Sequence, residues 1–256
     1  MKSSKNILIV VATVFIISCK NEKPNSDIVI IEKEIITSEV VKVIPIKHGT
    51  LILETDTEVM YIDPTGGAEA FKGQKAPTLV LITDIHGDHL STKTLKSLNL
   101  NKATIIAPKA VVEKLSKDLG KTIITLNNND VYIYNNINIE ALPMYNLREE
   151  ALKFHTKGRG NGYLLTVKGE RIYISGDTED ILEMRGLKSI DKAFVCMNLP
   201  YTMTVESAAS AVLEFKPKRV FPYHYRGTEG LSDIDLFKEL VNKGDKSINV
   251  VFLNWY

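Results

Sequence analysis

The stretch that decides the fold of this chain is Ile82-Thr83-Asp84-Ile85-His86-Gly87-Asp88-His89-Leu90. It begins at the last residue of the apolar run 79–82, and such a run is typical of a strand buried on both faces. Asp84 and His86 are two residues apart, so their side chains point the same way in an extended segment. After the turn at Gly87, Asp88 and His89 can face a second point. Imidazole and carboxylate groups at this density indicate a site for zinc or a similar divalent ion. The alternative is a polar loop in which Asp88 merely favours the dipole of a following helix.

Short β-branched runs and amphipathic segments surround this loop. Strands are predicted at 40–46, 51–54, 59–62, 79–82, 104–107, 171–175 and 249–253, with more between 122 and 167. Helices are predicted after the caps Ser91 and Ser232, and at 109–119 and 204–215. The early and middle strands are too closely spaced to hold crossover helices, which excludes a purely parallel sheet. Two mixed sheets with helices outside satisfy this order.

The composition is that of an ordinary globular protein. Of 256 residues, 44% are apolar and 25% are charged, which excludes collagen-like, disordered and disulfide-stapled classes. Lys and Arg number 32 against 31 Asp and Glu, so the basic excess typical of nucleic-acid binding is absent, and no nucleic-acid partner is expected. Cys196 lies in an apolar run and is expected to be a buried, unreactive thiol. The sequence indicates no oligomeric state.

The N-terminal segment has the features of a secretion signal. Lys2 and Lys5 precede an apolar run at 7–17, which is too short to span a bilayer and has the length of a signal-peptide core. The run ends in Ile16-Ile17-Ser18-Cys19, which resembles the lipobox of bacterial lipoproteins, whose cysteine is lipidated. We predict a signal peptide at 1–18, a polar tether at 19–38 and a single folded domain at 39–256. The protein is then expected in the bacterial cell envelope, held to the membrane by lipid on Cys19 and facing the periplasm or the exterior. An uncleaved anchor or a plain secretory signal is the alternative.

The metal-ligand pattern extends beyond the first loop. The chain is similar to the metallo-β-lactamase fold family, whose mark is H-x-H-x-D-H after a buried strand, then a lone His, a lone Asp and a final His at strand ends. Here the pattern is Asp84-x-His86-x-Asp88-His89, then His155, Asp177 and His224. The resemblance covers the chain from about residue 40 onward and is closest to the branch of metal-dependent hydrolases that contains ascorbate-6-phosphate lactonase-like enzymes. In that branch a first-strand His and an Asp-Pro, resembling His48 and Asp63-Pro64, also recur. It implies an α/β fold, an αββα sandwich of two mixed β-sheets with helices on the outer faces.

The resemblance also implies roles for these side chains. A first metal would be bound by His86 and His155, a second by Asp88, His89 and His224, and Asp177 would bridge both. The cofactor implied is two divalent ions, with zinc expected and manganese or iron as alternatives. Asp84 departs from the family, which has His there, and could ligate the first metal, weaken that site or change its metal preference. His48 is either a hydrogen-bonding partner or proton donor near the metals, or a structural strand residue. Asp63 is expected to accept from backbone N–H groups in its loop.

A dinuclear site of this kind predicts a small-molecule hydrolase. Metal-bound hydroxide, oriented by Asp88, would attack a small ester, lactone, amide or phosphoester. No G-x-S-x-G or Cys/His nucleophile motif competes with this interpretation. Two alternatives stay open: a phosphodiesterase acting on phospholipids or nucleotides, and a non-catalytic metal-binding lipoprotein.

Candidate substrate contacts lie near the predicted ligands. Arg159 follows His155 in a glycine-rich loop and Arg226 follows His224 by two residues, so either could hold a phosphate or carboxylate. The alternative is that both are solvated loop residues. Four side chains beside predicted strand ends are candidates for lining the pocket or donating to an oxyanion: Asn198, Tyr201, Tyr223 and Tyr225. Packing in the core is the alternative for the three tyrosines.

Overall fold

The computed structural model describes residues 39–256. The predicted signal peptide, the tether and the lipidation site Cys19 lie outside the described residues. Within the described part, none of the helices has the length and apolar character needed to cross a membrane.

The first sheet contains six strands whose spatial order follows the sequence. They are β1 (Lys42–Lys47), β2 (Thr50–Glu54), β3 (Val59–Ile62), β4 (Leu79–Leu81), β5 (Thr104–Ala107) and β6 (Thr122–Thr125). Strands β1 to β3 pair antiparallel, and β3 to β6 pair parallel. All residues of β3, β4 and β5 are buried, as expected for strands covered on both faces.

The second sheet is also mixed. The later strands are β7 (Val131–Tyr134), β8 (Ile137–Met144), β9 (Gly160–Val167), β10 (Glu170–Ile174), β11 (Lys192–Val195), β12 (Arg219–Pro222), β13 (Arg226–Gly227), β14 (Gly230–Leu231) and β15 (Asn249–Val250). Seven of them form the sheet in the order β15-β12-β11-β10-β9-β8-β7, and β13 and β14 form a separate hairpin. Pairing is antiparallel from β7 to β10 and parallel from β10 to β15.

Five helices connect the strands: α1 (Thr92–Ser97), α2 (Lys109–Val112), α3 (Leu182–Arg185), α4 (Val205–Phe215) and α5 (Ile234–Gly244). The predicted cap Ser91 is confirmed, and the first residue of the helix predicted at 204–215 is itself the cap. Ser91 accepts from Thr94 N at the start of α1, and Thr204 accepts from Ser207 N at the start of α4.

Three boundary predictions are wrong for local reasons. The helix predicted at 109–119 stops at Val112, because the N–H groups of Lys114 and Leu115 bond three residues back, as in a 3₁₀ turn. The cap of α5 is Asp233, which accepts from Leu236 N at 2.8 Å, whereas the Ser232 hydroxyl donates to a distant backbone carbonyl. The final strand ends at Val250 instead of residue 253, and the Trp255 indole then donates to the Pro222 carbonyl.

The side chains of the first sheet alternate between two apolar layers. One face packs against the second sheet and includes Leu51, Leu53, Met60, Ile62, Leu79 and Leu81. The other face packs with residues of α1 and α2 and includes Ile52, Tyr61, Val80, Ile82 and Ile105. Residues of α4 and α5, such as Val212 and Phe237, belong to the same apolar cluster as the face that packs against the second sheet. Each such buried aliphatic side chain contributes about 1.5–3 kcal/mol. The predicted sandwich of two mixed sheets with helices outside is confirmed.

One edge of the sandwich gathers the functional loops. Strands β8, β10, β11 and β12 run in the same direction, so the loops that leave them emerge at a common edge of the second sheet. The loop that leaves β4 of the first sheet meets them there, because Asn161 N donates to Thr83 O at 2.9 Å. The fold therefore brings the segments that carry the predicted ligands together.

Candidate metal centre and active site

Asp177 lies at the centre of the converging side chains. Its Oδ2 atom is 3.2 Å from His89 Nε2 and 3.2 Å from His155 Nε2. Its Oδ1 atom is 3.5 Å from His224 Nε2. All four side chains are buried, so these segments, which are far apart in the sequence, present their donor atoms to one small volume.

Asp88 extends the same cluster toward solvent. Its Oδ2 atom lies 3.3 Å from His224 Nε2 and 3.3 Å from His48 Nε2. The side chain is 43% exposed, in contrast to Asp177 at 4%. Asp88 can therefore reach both the buried donors and a molecule that arrives from outside.

The donor atoms fit a divalent metal ion. The potential ligands form three groups, and within each group the donor atoms lie within 4.8 Å of one another. The groups are Asp84, His86 and His155; His89, Asp177 and His224; and His48, Asp88 and His224. Five buried atoms of the cluster have no hydrogen-bond partner: His224 Nδ1, and four that belong to the Asp177 carboxylate or lie beside it, namely His89 Nε2, His155 Nε2, His224 Nε2 and Asp177 Oδ1. Buried polar atoms without partners are costly, and a cation would satisfy all four. Nitrogen and carboxylate donors suit zinc, manganese or iron.

The protonation of the two acids agrees with cation binding. Burial raises the pKa of Asp177, but the neighbouring His224 and His89 rings outweigh it and hold the pKa well below its usual value. Burial also raises the pKa of Asp88, and the adjoining His224 and His48 rings again hold it below its usual range. Both carboxylates are therefore ionised at neutral pH.

His89 is oriented by a buried acid and hydroxyl. Its Nδ1 atom lies 2.8 Å from Asp63 Oδ2, which leaves Nε2 aimed at Asp177. Thr83 donates to Asp63 through its backbone N–H at 2.7 Å and its hydroxyl at 2.6 Å. Asp63 thus accepts from a backbone N–H 20 positions away instead of one in its own loop, and it also fixes a candidate ligand, a role that its Asp-Pro sequence does not reveal.

His155 is oriented by the neighbouring loops. Its Nδ1 atom lies 3.2 Å from Asn146 Oδ1 and 3.2 Å from the Tyr201 carbonyl. The Asn146 amide in turn donates to that same carbonyl at 2.7 Å. Sequence reasoning missed Asn146, because a lone amide nine residues before His155 carries no recognisable signal.

Arg148 links two segments that border the site, the one that follows Asp177 and the one around Pro200. Its guanidinium donates to Glu179 Oε1 at 2.8 Å, to Pro200 O at 2.9 Å and to Thr202 O at 2.7 Å. The segment 198–203 is thereby fixed beside the segment that follows Asp177. This arginine was also missed by sequence reasoning, since the partners that join these segments are distant in the chain.

Asp84 is paired with an arginine. Arg159 donates through Nε to Asp84 Oδ1 at 3.0 Å and through a terminal nitrogen to Oδ2 at 2.8 Å. His86 Nδ1 lies 2.8 Å from the same Oδ2 atom. Burial raises the pKa of Asp84, but His86 and Arg159 outweigh it and keep this carboxylate ionised. The Asp that replaces the family's His adds one negative charge, and Arg159 cancels that charge.

Arg159 therefore has a different partner from the one predicted. Its side chain is only 18% exposed, and it faces Asp84 and the Phe154 carbonyl at 2.5 Å in place of a substrate. Tyr223 also differs from the prediction. It is fully buried and does not line either of the two cavities described below. Its hydroxyl accepts from Gly176 N at 3.0 Å, so it belongs to the core.

Two cavities meet at the cluster. The larger has a volume of about 950 Å³ and is bordered by His48, Asp88, Arg226, Trp255 and Tyr256 among others. The smaller has a volume of about 250 Å³ and is lined by His86, Asp88, Phe154, His155, Asp177, Asn198 and Tyr201. Of the predicted substrate contacts, the structure thus places Asn198, Tyr201 and Arg226 at a cavity.

His48 lies between Asp88 and the larger cavity. Its Nε2 atom is 3.3 Å from Asp88 Oδ2, and its Nδ1 atom is 2.7 Å from the Tyr256 hydroxyl. Burial lowers the pKa of His48 more than Asp88 raises it, so the imidazole is neutral at neutral pH. Tyr256 gives no local sequence signal of this contact.

Comparisons with known proteins agree with this geometry. A family model described as a β-lactamase superfamily domain matches residues 42–224. The chain is 28% identical to a UPF0173 metal-dependent hydrolase of Pyrococcus abyssi over 222 residues, which cover 82% of this chain and 96% of that protein. A crystal structure from Parabacteroides distasonis, provisionally named a metal-dependent hydrolase, aligns with a TM-score of 0.74 and 38% identity over 83% of this chain and 92% of that one. Igni18, a metallo hydrolase of Ignicoccus hospitalis, shares the fold with a TM-score of 0.70 at 22% identity, covering 84% of this chain and 95% of that one.

These matches span nearly the whole of the described residues and the full set of convergent donors from Asp84 to His224. The chain therefore belongs to the β-lactamase superfamily, has the metallo-β-lactamase fold and is a metal-dependent hydrolase.

Proposed function

We propose that this enzyme hydrolyses a small ester, lactone, amide or phosphoester with the help of two divalent ions, zinc in the first instance. The observation that carries the proposal is the set of buried donor atoms without hydrogen-bond partners around Asp177, at the point where two cavities meet.

We assign the donor groups to two ions, which would share Asp177. His86 and His155 would hold one ion, and Asp88, His89 and His224 would hold the other. Divalent ions bound in such sites lower the pKa of a coordinated water and polarise the carbonyl or phosphoryl oxygen of a substrate. Asp63 and Asn146 keep the rings of His89 and His155 in the orientation that this binding requires.

Asp88 and His48 are the groups placed to handle protons. Asp88 is ionised and reaches both cavities, so its carboxylate can orient an attacking water and accept a hydrogen bond from it. The neutral imidazole of His48, whose Nε2 atom lies 3.3 Å from Asp88, can take up the proton released by the attacking water and pass it to the leaving group. The Tyr256 hydroxyl at His48 Nδ1 fixes the ring in place.

Asn198 is placed to bind a substrate oxygen in the smaller cavity. The Thr202 hydroxyl accepts from Asn198 N at 2.9 Å and donates to Asn198 Oδ1 at 2.5 Å. The Oδ1 atom is thereby fixed as the acceptor, and the Nδ2 amide group is left to donate. An amide donor near developing negative charge stabilises the transition state by about 2.7–4 kcal/mol in comparable sites.

The proposal is tested by a substrate panel on the zinc-loaded protein. The panel contains p-nitrophenyl esters, lactones and bis-p-nitrophenyl phosphate, each with and without a chelator. We expect chelator-sensitive turnover of at least one class and a loss of about 10²–10⁴-fold in Asp88→Asn. Turnover confined to the phosphodiester would favour the phosphodiesterase alternative, and no metal-dependent turnover anywhere would refute the proposal.

We also propose that the chain is lipidated at Cys19 and lies in the cell envelope, as its N-terminal sequence indicates. Expression of the full chain in bacteria with labelled palmitate should give a labelled, membrane-bound protein, and Cys19→Ala should abolish the label. A labelled Cys19→Ala protein would contradict this assignment.

A further inference from the structure

The two cavities beside Asp88 differ in size. The larger, at about 950 Å³, reaches the upper range of cavities that hold a complete small-molecule ligand. The smaller, at about 250 Å³, holds only a small group. Because Asp88 borders both cavities, a substrate whose cleaved bond lies beside Asp88 would place a small fragment in one cavity and a large fragment in the other.

The two cavities also differ in charge. Lys47 and Arg226 border the larger one, and among residues 39–256 no carboxylate lies within 4.0 Å of either cation. The single acid of that lining, Asp88, contacts His48 and His224 instead. No lysine or arginine borders the smaller cavity, which is lined by the proposed metal donors His86, Asp88, His155 and Asp177 and by Phe154 and Tyr201, whose rings meet edge to face at 5.1 Å.

Arg226 is held in place at the wall of the larger cavity. Its guanidinium carbon lies 4.5 Å from the centre of the Tyr256 ring, and the Tyr256 hydroxyl contacts His48. The next residue, Gly227, packs so tightly that a Cβ atom there would lie 1.8 Å from the Leu199 carbonyl oxygen. Arg226 is therefore fixed relative to the segment 198–203, which lines the smaller cavity.

We propose that the substrate is asymmetric: its larger fragment carries an oxyanion, a carboxylate or a phosphate, that binds Arg226 and Lys47, and its smaller fragment lies beside Phe154 and Tyr201. This inference rests on the proposed function, in which the bond that is cleaved lies beside Asp88. Water adds across that bond, its hydroxyl joining the acyl or phosphoryl centre and its proton the leaving group. Arg226 is thus a residue that determines specificity, and Arg159, which pairs with Asp84, does not compete for the anion.

A binding experiment tests the anion subsite without turnover. Trp255 is the chain's single tryptophan, is 2% exposed and borders the larger cavity, so its fluorescence reports on occupancy there. The probes are benzoate, phenyl phosphate and neutral benzyl alcohol, added to the full chain. We expect saturable fluorescence changes with the anions, at least tenfold weaker binding of benzyl alcohol, and a similar weakening of anion binding in Arg226→Met. The anion that binds more tightly identifies the oxyanion.

Lys238→Met is the matched control. Lys238 is also a cation above an aromatic ring, at 5.0 Å from the centre of Phe252, but it borders neither cavity. Its replacement should leave anion binding unchanged. Lys47→Met provides a second variant should Arg226→Met fold poorly. Equal binding of anions and benzyl alcohol, or anion binding that Arg226→Met and Lys47→Met both leave intact, would overturn the inference.

A kinetic comparison tests whether the enzyme prefers a negatively charged larger fragment in the reaction itself. Phenyl acetate and its 4-carboxy derivative share the small acetyl fragment and differ only in the charge of the large fragment. We expect kcat/KM at least about tenfold higher for the carboxylate ester, mainly through KM, and loss of this preference in Arg226→Met. Metal-dependent turnover of both esters without preference would refute the inference alone. Absence of metal-dependent turnover of these esters and of every member of the substrate panel would refute the proposed function, while the fluorescence titration would still decide the anion subsite.

Discussion

The pairing of Asp84 with Arg159 leads to a quantitative prediction for Arg159→Met. Asp84 is fully buried, and it receives two charge-assisted hydrogen bonds, at 2.8 and 3.0 Å, from an arginine whose side chain is 18% exposed. Removing one partner of a buried ion pair costs about 3–5 kcal/mol, because the remaining charge is left uncompensated. His86 Nδ1 remains 2.8 Å from Asp84, and the carboxyl can also take up a proton, so the expected loss is about 3 kcal/mol.

The assay is urea unfolding of the metal-free protein at neutral pH, followed by thermal unfolding. A loss of about 3 kcal/mol corresponds to a Tm lower by roughly 6–12 °C in a domain of this size. Arg226→Met is the matched control, since this exposed arginine has no carboxylate within 4.0 Å in residues 39–256, and it should change stability by less than about 0.5 kcal/mol.

A second substitution separates the charge from the shape of the pair. Adding Asp84→Asn to Arg159→Met removes the uncompensated carboxylate, so the double variant should be more stable than Arg159→Met alone. The reasoning is refuted if Arg159→Met unfolds within 0.5 kcal/mol of the unmodified protein, or if the double variant shows no recovery.

Three further predictions follow from other contacts. Gly49→Ala should cost about 1–3 kcal/mol in urea unfolding, because a Cβ atom there would lie 2.7 Å from His224 Cδ2, whereas Gly87→Ala, which meets no atom within 4 Å, should cost less; equal losses would contradict the packing argument. Cys196 is buried and its pKa is raised by burial to about 11, so its peptide should escape alkylation at about pH 8 until the protein is unfolded; rapid labelling of the native protein would contradict this. Burial raises the pKa of Asp191, but a backbone N–H and neighbouring lysines lower it below its usual value. Its stabilising contribution is therefore complete above the unfolded pKa, near 3.9, and is lost as pH falls through the folded pKa, so Asp191→Asn should be less stable at neutral pH and the difference should shrink on acidification; a constant difference would refute it.

The sequence predicts the parts of this protein that depend on local pattern. The run 79–82 and the ligands that follow it indicate a buried strand and a loop at its end, and β4 and the donor cluster have that arrangement. The order of His155, Asp177 and His224 indicates the fold through the family resemblance, and the matched family confirms it.

The parts that could not be predicted depend on contacts between distant segments. Arg159 contacts Asp84 across 75 positions, and His48 contacts Tyr256 across 208 positions. Tyr223 follows a strand in the sequence just as a pocket residue would, and only the packing of Trp255 and Phe194 against it shows that it belongs to the core. Long-range partners decide these roles, and a single sequence does not display them.

The central claim is that the donors around Asp177 bind divalent metal ions. The most direct measurement is the zinc content of the full chain after equilibrium dialysis, compared with that of His86→Ala and His89→Ala. We expect about two zinc ions per unmodified chain and a loss of at least one in each variant. An unmodified protein that retains no zinc, or two variants that both keep the full content, would contradict the account.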